Sequence, residues 1–344
     1  STPLYSSAAS DVYKRQWHDL TFADRADKVR KQGRLQKAVQ DSKAIRELAR
    51  NPLLLTMMAI LNRHQELPRD RPELYNQASR VLLHQWDVER ALVEDQRLDP
   101  KTIDYRDKQA MLRKVAHHMQ SSQKGLSGNI ISATDLETIL AEYLKGMEID
   151  QSRTMARLMI QQLRTRNFIL CYLGADSYAF VHRTFLEYFC AWEFVWQFKE
   201  TQTLNLEQLK LEVFGNHWQD ETWHEVLRLI AGLIDAKFAG EIIDYLLAQT
   251  VDRDAFLVVS VMGVRYAIKL LAQTVDRDAF LDQYDRLKKE GLSNLLLAAH
   301  CFAEVRNKAA IAATSTHLLT TLQREVEQES PYKFDWELAI ALIT

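Results

Sequence analysis

The sequence predicts a mainly helical protein that contains one small β-hairpin. All six prolines lie at positions 3, 52, 68, 72, 100 and 331, so residues 101–330 contain none. Because proline is the residue that most strongly disrupts a helix interior, this distribution favours helices over that long span. The exception is FILCYLGADSYAFVH at 168–182, in which two apolar runs flank a loop that carries Gly174. That arrangement is typical of a hairpin.

Composition narrows the class of protein. The 44 basic and 46 acidic residues nearly cancel, so bulk charge gives no reason to expect nucleic acid or an acidic membrane as a partner. Hydrophobic residues make up 47% of the chain, which is enough to build sizeable cores. Cys171, Cys190 and Cys301 are far apart and lie in apolar contexts, which indicates reduced core thiols rather than disulfides or metal ligands. We therefore predict a cytoplasmic protein without a membrane span.

Residues 1–16 differ from the rest of the chain. Small polar residues dominate, and the stretch follows neither a helical nor a strand period. It resembles translated sequencing-adapter read-through, and a disordered N-terminus is the alternative from composition alone. We exclude it from the fold prediction, and on the first interpretation we expect the gene to continue upstream.

Residues 17–121 are predicted to form a helical domain. Two charged amphipathic helices fill residues 17–50, and Asn51 then ends the second because the residue before a proline avoids helical geometry. Pro52 is suited to the first position of the next helix. That helix, LLLTMMAILNRH, is apolar on most sides and is predicted to be buried.

Two more helices complete this domain. Pro72 opens a long helix that reaches about Glu94, and Asp99 with Pro100 breaks the pattern before a further helix over 103–120. The first of the two carries a stripe at helical spacing that should face a core. The stripe consists of Leu74, Ala78, Val81, Leu82 and Trp86.

Residues 130–200 are predicted to form a winged-helix domain. The glycine- and serine-containing segment SSQKGLSGN at 121–129 marks its boundary. Ser132 or Thr134 then caps a helix that ends near Leu144, with Asp135 completing a variant of the capping box. A second helix follows over 151–167, before the hairpin. Helices followed by a single hairpin are typical of a winged helix.

Residues 201–344 are predicted to form paired helices. The predicted ranges are 205–214, 219–235, 239–250, 292–306 and 309–328. The last two resemble a HEAT-like repeat pair, whose helices bury a shared face by stacking on neighbours. The sequence LLAQTVDRDAFL occurs identically at 246–257 and 270–281. Such identity indicates a recent duplication or an assembly error, and we give it no functional weight.

Residues 178–198, YAFVHRTFLEYFCAWEFVWQF, join a short strand, a histidine and an aromatic helix. The helix carries one stripe of large side chains, formed by Phe185, Phe189, Trp192 and Trp196. A strand ending in Phe-x-His before such a helix resembles the end of the winged helix in NACHT-type signalling NTPases. The segment ELARNPLLLTMMA at 47–59 is similar to the part of that family that follows its nucleotide domain. The resemblance covers residues 17 to about 200.

The resemblance implies two nucleotide contacts. His182 matches the family's histidine that reaches the phosphates of ADP and locks the inactive state, and Pro52 matches a proline near the adenine. It also implies ADP or ATP with Mg²⁺ as cofactors of the complete protein. The chain has no Gly-Lys dipeptide and no apolar strand ending in paired acids, so neither the Walker A nor the Walker B motif is present. We therefore expect no catalytic residue in this chain and no ATPase activity from it alone.

The binding free energy available from His182 and Pro52 limits how tightly they can hold a nucleotide. A charge-assisted hydrogen bond from His182 to a phosphate contributes about 1.5–3 kcal/mol, whereas micromolar binding requires about 8 kcal/mol. We therefore expect no tightly bound nucleotide on this chain by itself.

The resemblance also implies a role and partners. It describes the regulatory and sensor part of a NACHT signalling ATPase, connected with bacterial antiphage defence. The winged helix would lock the ADP state against an upstream nucleotide domain, the repeats would sense a protein ligand, and activation would form a homo-oligomer.

Two other classes of function stay open. Residues 153–183 carry five arginines against one acid, Asp176, which favours a winged helix that binds nucleic acid. The slightly acidic chain and a hairpin without a basic tip argue against that class, so nucleic acid ranks second as a partner. The third class is a helical scaffold for protein interactions, if the chain truly begins at Ser1. The adjacent His117 and His118 point in different directions on a helix and predict no metal site.

Overall fold

The structure is a computed structural model that describes residues 25–49, 52–68, 70–85, 103–122, 129–249 and 293–327. Residues 1–16, Trp86, the break at Asp99 and Pro100 and most of the duplicated sequence lie outside these ranges. The described residues fall into two compact units, one ending at Glu193 and one beginning at Phe194. Among the helices described, none is both long and apolar enough to cross a membrane.

The first unit begins with four helices. These are α1 (Arg25–Asp41), α2 (Lys43–Leu48), α3 (Pro52–His64) and α4 (Arg71–Arg80). The helix α3 packs against α1 and α4, and its buried residues include Leu54, Leu55, Met57, Met58 and Ile60. The sequence prediction of a buried helix is therefore confirmed. Asn62, which is also buried, accepts a hydrogen bond from Arg34 Nε at 2.8 Å and donates to the Lys31 carbonyl at 2.8 Å.

The helix α4 starts at a side-chain cap and ends in an unusual turn. The Asp70 carboxylate accepts a hydrogen bond from the Glu73 amide at 2.9 Å, as an N-cap residue does. Four members of the predicted stripe, Leu74, Ala78, Val81 and Leu82, are buried. Beyond Arg80 the chain continues as a π-helical turn over Val81–Gln85 instead of a regular α-helix.

Side chains of later elements bind the carbonyls of this π-helical turn. Asn167 Nδ2 donates to the Leu82 carbonyl at 2.8 Å, and Lys108 Nζ lies 3.5 Å from the Leu83 carbonyl. A π turn places its carbonyls differently from an α-helix, so partners outside the helix can accompany it. The turn is therefore joined to elements that come later in the sequence.

A winged helix completes the first unit and confirms the predicted fold class. It consists of α5 (Tyr105–Ser121), β1 (Ile131–Ser132), α6 (Ala133–Gly146), α7 (Ser152–Thr165), β2 (Leu170–Gly174) and β3 (Ser177–Phe180). The strands form an antiparallel sheet in the order β1-β3-β2, with Ile131 opposite Tyr178 and Leu170 opposite Phe180. The predicted hairpin is β2 and β3. The sequence did not predict β1, which is only two residues long.

Local signals explain where these elements begin and turn. Ser132 is the cap of α6, since its hydroxyl accepts from the Asp135 amide at 3.0 Å. The loop between β2 and β3 has positive φ at Gly174, Ala175 and Asp176, a conformation that favours glycine at the first of these positions. The Asp176 carbonyl then accepts from the Ala133 amide at 2.7 Å, which ties the hairpin loop to the start of α6.

The helix α8 (Arg183–Lys199) spans the end of the first unit and the start of the second. The second unit continues with α9, which runs through Leu206–Gln208, a π-helical Leu209–Phe214 and Gly215–His217. It is completed by α10 (His224–Leu233), α11 (Ala236–Leu247), α12 (Ser293–Glu304), a 3₁₀ turn over Lys308–Ile311, and α13 (Ala312–Glu327). These elements match the predicted helices apart from shifted ends. A HEAT-like repeat stays a prediction, as do the domain limits 17–121, 130–200 and 201–344.

The helices of the second unit bury their apolar faces against one another. The helix α11 packs against α12 and α13, and α10 packs against α12. Polar side chains add specific links. Arg228 of α10 lies 3.3 Å from Glu225 and 3.0 Å from Glu304 of α12. Asp244 of α11 accepts from Thr314 Oγ1 and contacts His317 Nδ1 of α13, each at 2.9 Å.

Gly240 permits the close approach of α11 to the segment that leads into α13. A Cβ atom at this position would lie 2.8 Å from Ile311 Cγ2 and 3.2 Å from Thr314 Oγ1. Because Ile311 is branched at Cβ, its methyl group has little freedom to move away. We predict that Gly240→Ala lowers the free energy of unfolding by about 1–2 kcal/mol through overpacking, measured by urea denaturation followed by circular dichroism.

Gly33→Ala is the matched control for Gly240→Ala. Gly33 also lies inside a helix, but apart from its two chain neighbours and the backbone of its own helix, no atom of the described residues comes within 4 Å of the corresponding Cβ. There the usual preference for alanine should stabilise the protein by about 0.5–1 kcal/mol. A denaturation midpoint for Gly240→Ala at or above that of the wild type would contradict the packing argument.

Candidate functional site at the strand–helix junction

The predicted phosphate contact, His182, lies in the two-residue connection between β3 and α8. The backbone is fixed on both sides of it. The Val181 amide donates to the Ile169 carbonyl at 3.0 Å, which extends the pairing of β3 with β2 by one more bond. The His182 carbonyl accepts from the Phe185 amide at 3.0 Å and so takes part in the first turn of α8. The imidazole is half-buried and is carried by a well-anchored backbone.

Asn129 binds Phe180, the last residue of β3, on the side of β3 that faces away from β2. Its Nδ2 donates to the Phe180 carbonyl at 3.1 Å, and its Oδ1 accepts from the Phe180 amide at 3.2 Å. The side-chain amide therefore replaces a strand residue at a point where β1 has not yet begun. This pair of bonds fixes the backbone two residues before His182.

An aromatic cluster anchors α8 on the other side of the junction. Tyr75 of α4 stacks on Tyr188 with ring centroids 5.4 Å apart and meets the edge of Phe185 at 6.1 Å. Phe189 contacts Tyr188 at 5.3 Å and Phe180 at 6.2 Å. All five rings are buried. The first half of the predicted aromatic stripe thus forms core.

The second half of that stripe is more exposed. Trp192 is half-buried, and Trp196 keeps 37% of its surface accessible. The guanidinium of Arg113 on α5 lies 4.9 Å from the Trp192 ring centroid, which is a cation–π geometry.

A buried ion cluster lies beside Trp192, and sequence reasoning missed it. Glu193 is only 4% exposed and lies 3.5 Å from Arg113 Nε and 3.6 Å from Lys114 Nζ. Burial lowers the pKa of the neighbouring His117 imidazole, and the negative charge of Glu193 opposes that effect. The signal in the sequence was a single acid within the apolar run CAWEFVW. A lone acid in such a run is expected to have a buried cationic partner.

Burial also lowers the pKa of His182. At neutral pH the imidazole is therefore mostly uncharged, with one nitrogen able to donate a hydrogen bond and the other able to accept one. An anionic ligand beside the ring would raise its pKa again, because the opposite charge favours the protonated form. Protonation of the ring beside an anion would therefore have to overcome the cost that burial imposes on the charged imidazole.

The second predicted contact, Pro52, opens α3, as expected for a proline in the first helical turn. The structure places Pro52 and His182 on different elements of the first unit. Within the described residues, no group of three or more His, Cys, Asp and Glu side chains could hold a metal ion.

Comparison with known families identifies the domain that carries this junction. Residues 71–194 match the family model of the winged helix-turn-helix domain C-terminal to NACHT. The match includes α4, the winged helix and most of α8, and it confirms the resemblance to the NACHT family that the sequence motifs indicated. No curated protein matches the chain significantly.

The double hydrogen bond of Asn129 generates a prediction for the junction. Asn129→Ala removes both bonds to Phe180 and should lower the free energy of unfolding by about 1–3 kcal/mol, since a partly buried donor and acceptor lose their partners. Hydrogen exchange measured by mass spectrometry should also show faster exchange in β3 and at the start of α8. Asn216→Ala, at an exposed position in α9, is the control and should change neither quantity. Unchanged exchange at β3 in Asn129→Ala would show that the two hydrogen bonds from Asn129 to Phe180 do not stabilise the junction.

The lowered pKa of His182 generates a second prediction. The imidazole should titrate below its usual value of 6.5, as followed by the NMR signal of its Cε1–H group and assigned with His182→Gln. Because the unfolded chain then binds more protons than the folded one, this residue's contribution to stability is complete above about pH 6.5 and declines as the pH falls below it. A titration midpoint at or above 6.5 would refute the effect of burial.

Proposed function

We propose that this chain is the regulatory and sensor part of a nucleotide-switched signalling ATPase of the NACHT type. The observation that carries the proposal is the match of residues 71–194 to a winged helix that lies C-terminal to NACHT. A domain with that position is adjacent in sequence to a nucleotide-binding domain. We therefore infer that the winged helix regulates the binding of a nucleotide by that neighbouring domain.

In this proposal His182 contacts the phosphates of ADP in the complete protein. The support is local. The residue lies where a strand ends and a helix begins, and its backbone is fixed by Ile169, Phe185 and Asn129. A backbone that is already fixed reduces the conformational entropy that is lost when a ligand binds. Contact with a phosphate would stabilise the ADP-bound state by about 1.5–3 kcal/mol.

Pro52 is the second contact in the proposal, near the adenine. Its support is its place at the start of α3, a helix packed into the first unit. A proline there offers a small rigid apolar surface and makes a minor contribution to affinity.

The helices α9–α13 would form the sensor in this scheme. Ligand binding there would release the winged helix from the ADP-bound nucleotide domain, ATP with Mg²⁺ would replace ADP, and the protein would form a homo-oligomer. Bacterial antiphage defence is the biological setting proposed for this switch.

The first experiment is to sequence the source DNA upstream of Trp17. The proposal expects an in-frame phosphate-binding loop followed by an apolar strand with paired acids. Their absence from a complete upstream reading frame would remove the basis for nucleotide switching.

The complete protein then allows a direct test of His182. We predict that His182→Ala releases bound ADP about tenfold faster or more, as expected for the loss of one charge-assisted hydrogen bond. ADP content after purification and its dissociation rate provide the measurement. His118→Ala is the matched control, since His118 is exposed on α5 and lies outside the junction. Equal ADP retention in the wild type and His182→Ala would contradict the assigned role.

A further inference from the structure

The helix α7 has one apolar and one basic face. Its buried positions, Ala156, Met159, Ile160 and Leu163, pack into the winged helix. At about 100° per residue, the exposed positions fall within an arc of about 120° on the other side. These positions are Arg153, Thr154, Arg157, Gln161, Arg164 and Thr165. We name this surface the α7 face.

The α7 face is rich in hydrogen-bond donors and has no carboxylate of its own. The helix sequence SRTMARLMIQQLRT contains three arginines and no acid. The guanidinium of Arg164 lies 5.4 Å from the ring centroid of Tyr172, which is exposed on β2. The basic face is therefore continuous with the outer surface of the hairpin.

One carboxylate from a neighbouring helix reaches this face. Glu137 of α6 accepts two hydrogen bonds from Arg157, from Nε at 2.8 Å and from Nη2 at 3.1 Å. Those bonds lower the pKa of Glu137, and the positive charge of Arg153 adds to the effect. Glu137 thus occupies the guanidinium of Arg157, where an anion from outside the protein would otherwise bind.

We propose that the α7 face binds duplex DNA, with α7 entering the major groove. The domain matches a winged helix-turn-helix. In its helix-turn-helix, α6 is the first helix, and α7 is the second helix, which follows the turn. The major groove is about 12 Å wide and admits a single α-helix. Arginine, glutamine and threonine are side chains that donate to phosphates and base edges.

The flanking acids define how the DNA would lie. Asp150 precedes α7 and Asp176 lies at the hairpin tip, and both are exposed. Phosphates would avoid these two ends, so the contacts come from the arginines along α7 and not from the hairpin. The overall charge of −2, which argues against nucleic acid when the whole chain is considered, has little effect at the α7 face, because screening limits the influence of distant charges to about 8–10 Å at physiological salt.

Fluorescence anisotropy with the full 344-residue chain tests the proposal. The probe is a fluorescein-labelled duplex of about 30 base pairs. The protein is titrated into it at several NaCl concentrations between about 50 and 200 mM. The wild type should bind with an affinity that falls steeply with salt. The double variant Arg153→Glu with Arg164→Glu should bind tenfold or more weakly, and its plot of log K against log salt should be flatter by about 1 for each phosphate that it no longer neutralises.

Two further variants make the test specific. Lys237→Glu on α11 makes the same charge reversal at an exposed site elsewhere and should bind like the wild type. Glu137→Gln removes the carboxylate that occupies Arg157, so it should bind more tightly and with a steeper salt dependence. If the double variant does not fold, Arg153→Gln with Arg164→Gln replaces it, with the same expected direction.

Three results would overturn the proposal. The first is no binding by the wild type at the lowest salt concentration. The second is an equal loss of affinity in Lys237→Glu, which would indicate a nonspecific effect of charge. The third is competition by poly-glutamate or by single-stranded DNA as effective as that by unlabelled duplex, which would assign the face to acidic proteins or single strands. Each result is independent of the nucleotide switch, because neither His182 nor Pro52 is altered.

Discussion

The aromatic contact between α4 and α8 is the interaction on which the first unit depends. Tyr75 lies more than a hundred positions before Tyr188 and Phe185, yet the three rings pack together in the core. Burying each large aromatic side chain contributes about 1.5–3 kcal/mol. Phe189 extends the cluster to Phe180 at the end of β3. Through this contact the core sets the position of the connection in which His182 lies.

Elements with strong local signals were predictable from the sequence. Helices without proline, the glycine-bearing hairpin loop and the Ser132 cap each follow from residues close together in the chain, and the structure has them. Features that depend on distant residues were not predictable. The strand β1 is too short to show a period, and the hydrogen bonds between Asn129 and Phe180 join positions 51 residues apart. The π-helical turn at 81–85 has partners at Lys108 and Asn167, which no local pattern indicates.

The candidate site shows the same division. His182 was selected because the residues around it resemble a family motif, since an isolated histidine at a strand end has no distinctive physical signal. The structure adds the anchoring of its backbone and the direction of its pKa, neither of which a motif can give. For α7, the arginines were visible in the sequence, but their common face became clear only when the buried side of the helix was known. The burial of Glu193 was not predicted, although an acid in an apolar run indicates it, and no local pattern indicates its partners on α5.

The π-helical turn also fixes the rotational phase of α4. Such a turn accommodates one residue more than an α-helical turn, and its carbonyls at Leu82 and Leu83 are bound by Asn167 and Lys108. Closing the turn into regular α geometry would rotate α4 by about 100° relative to the winged helix and shift it along its axis by about 1.5 Å. Tyr75 would then leave the rings of α8. One residue added or removed between Tyr75 and Leu82 would therefore break either the packing of Tyr75 on α8 or the hydrogen bond from Asn167 to the Leu82 carbonyl.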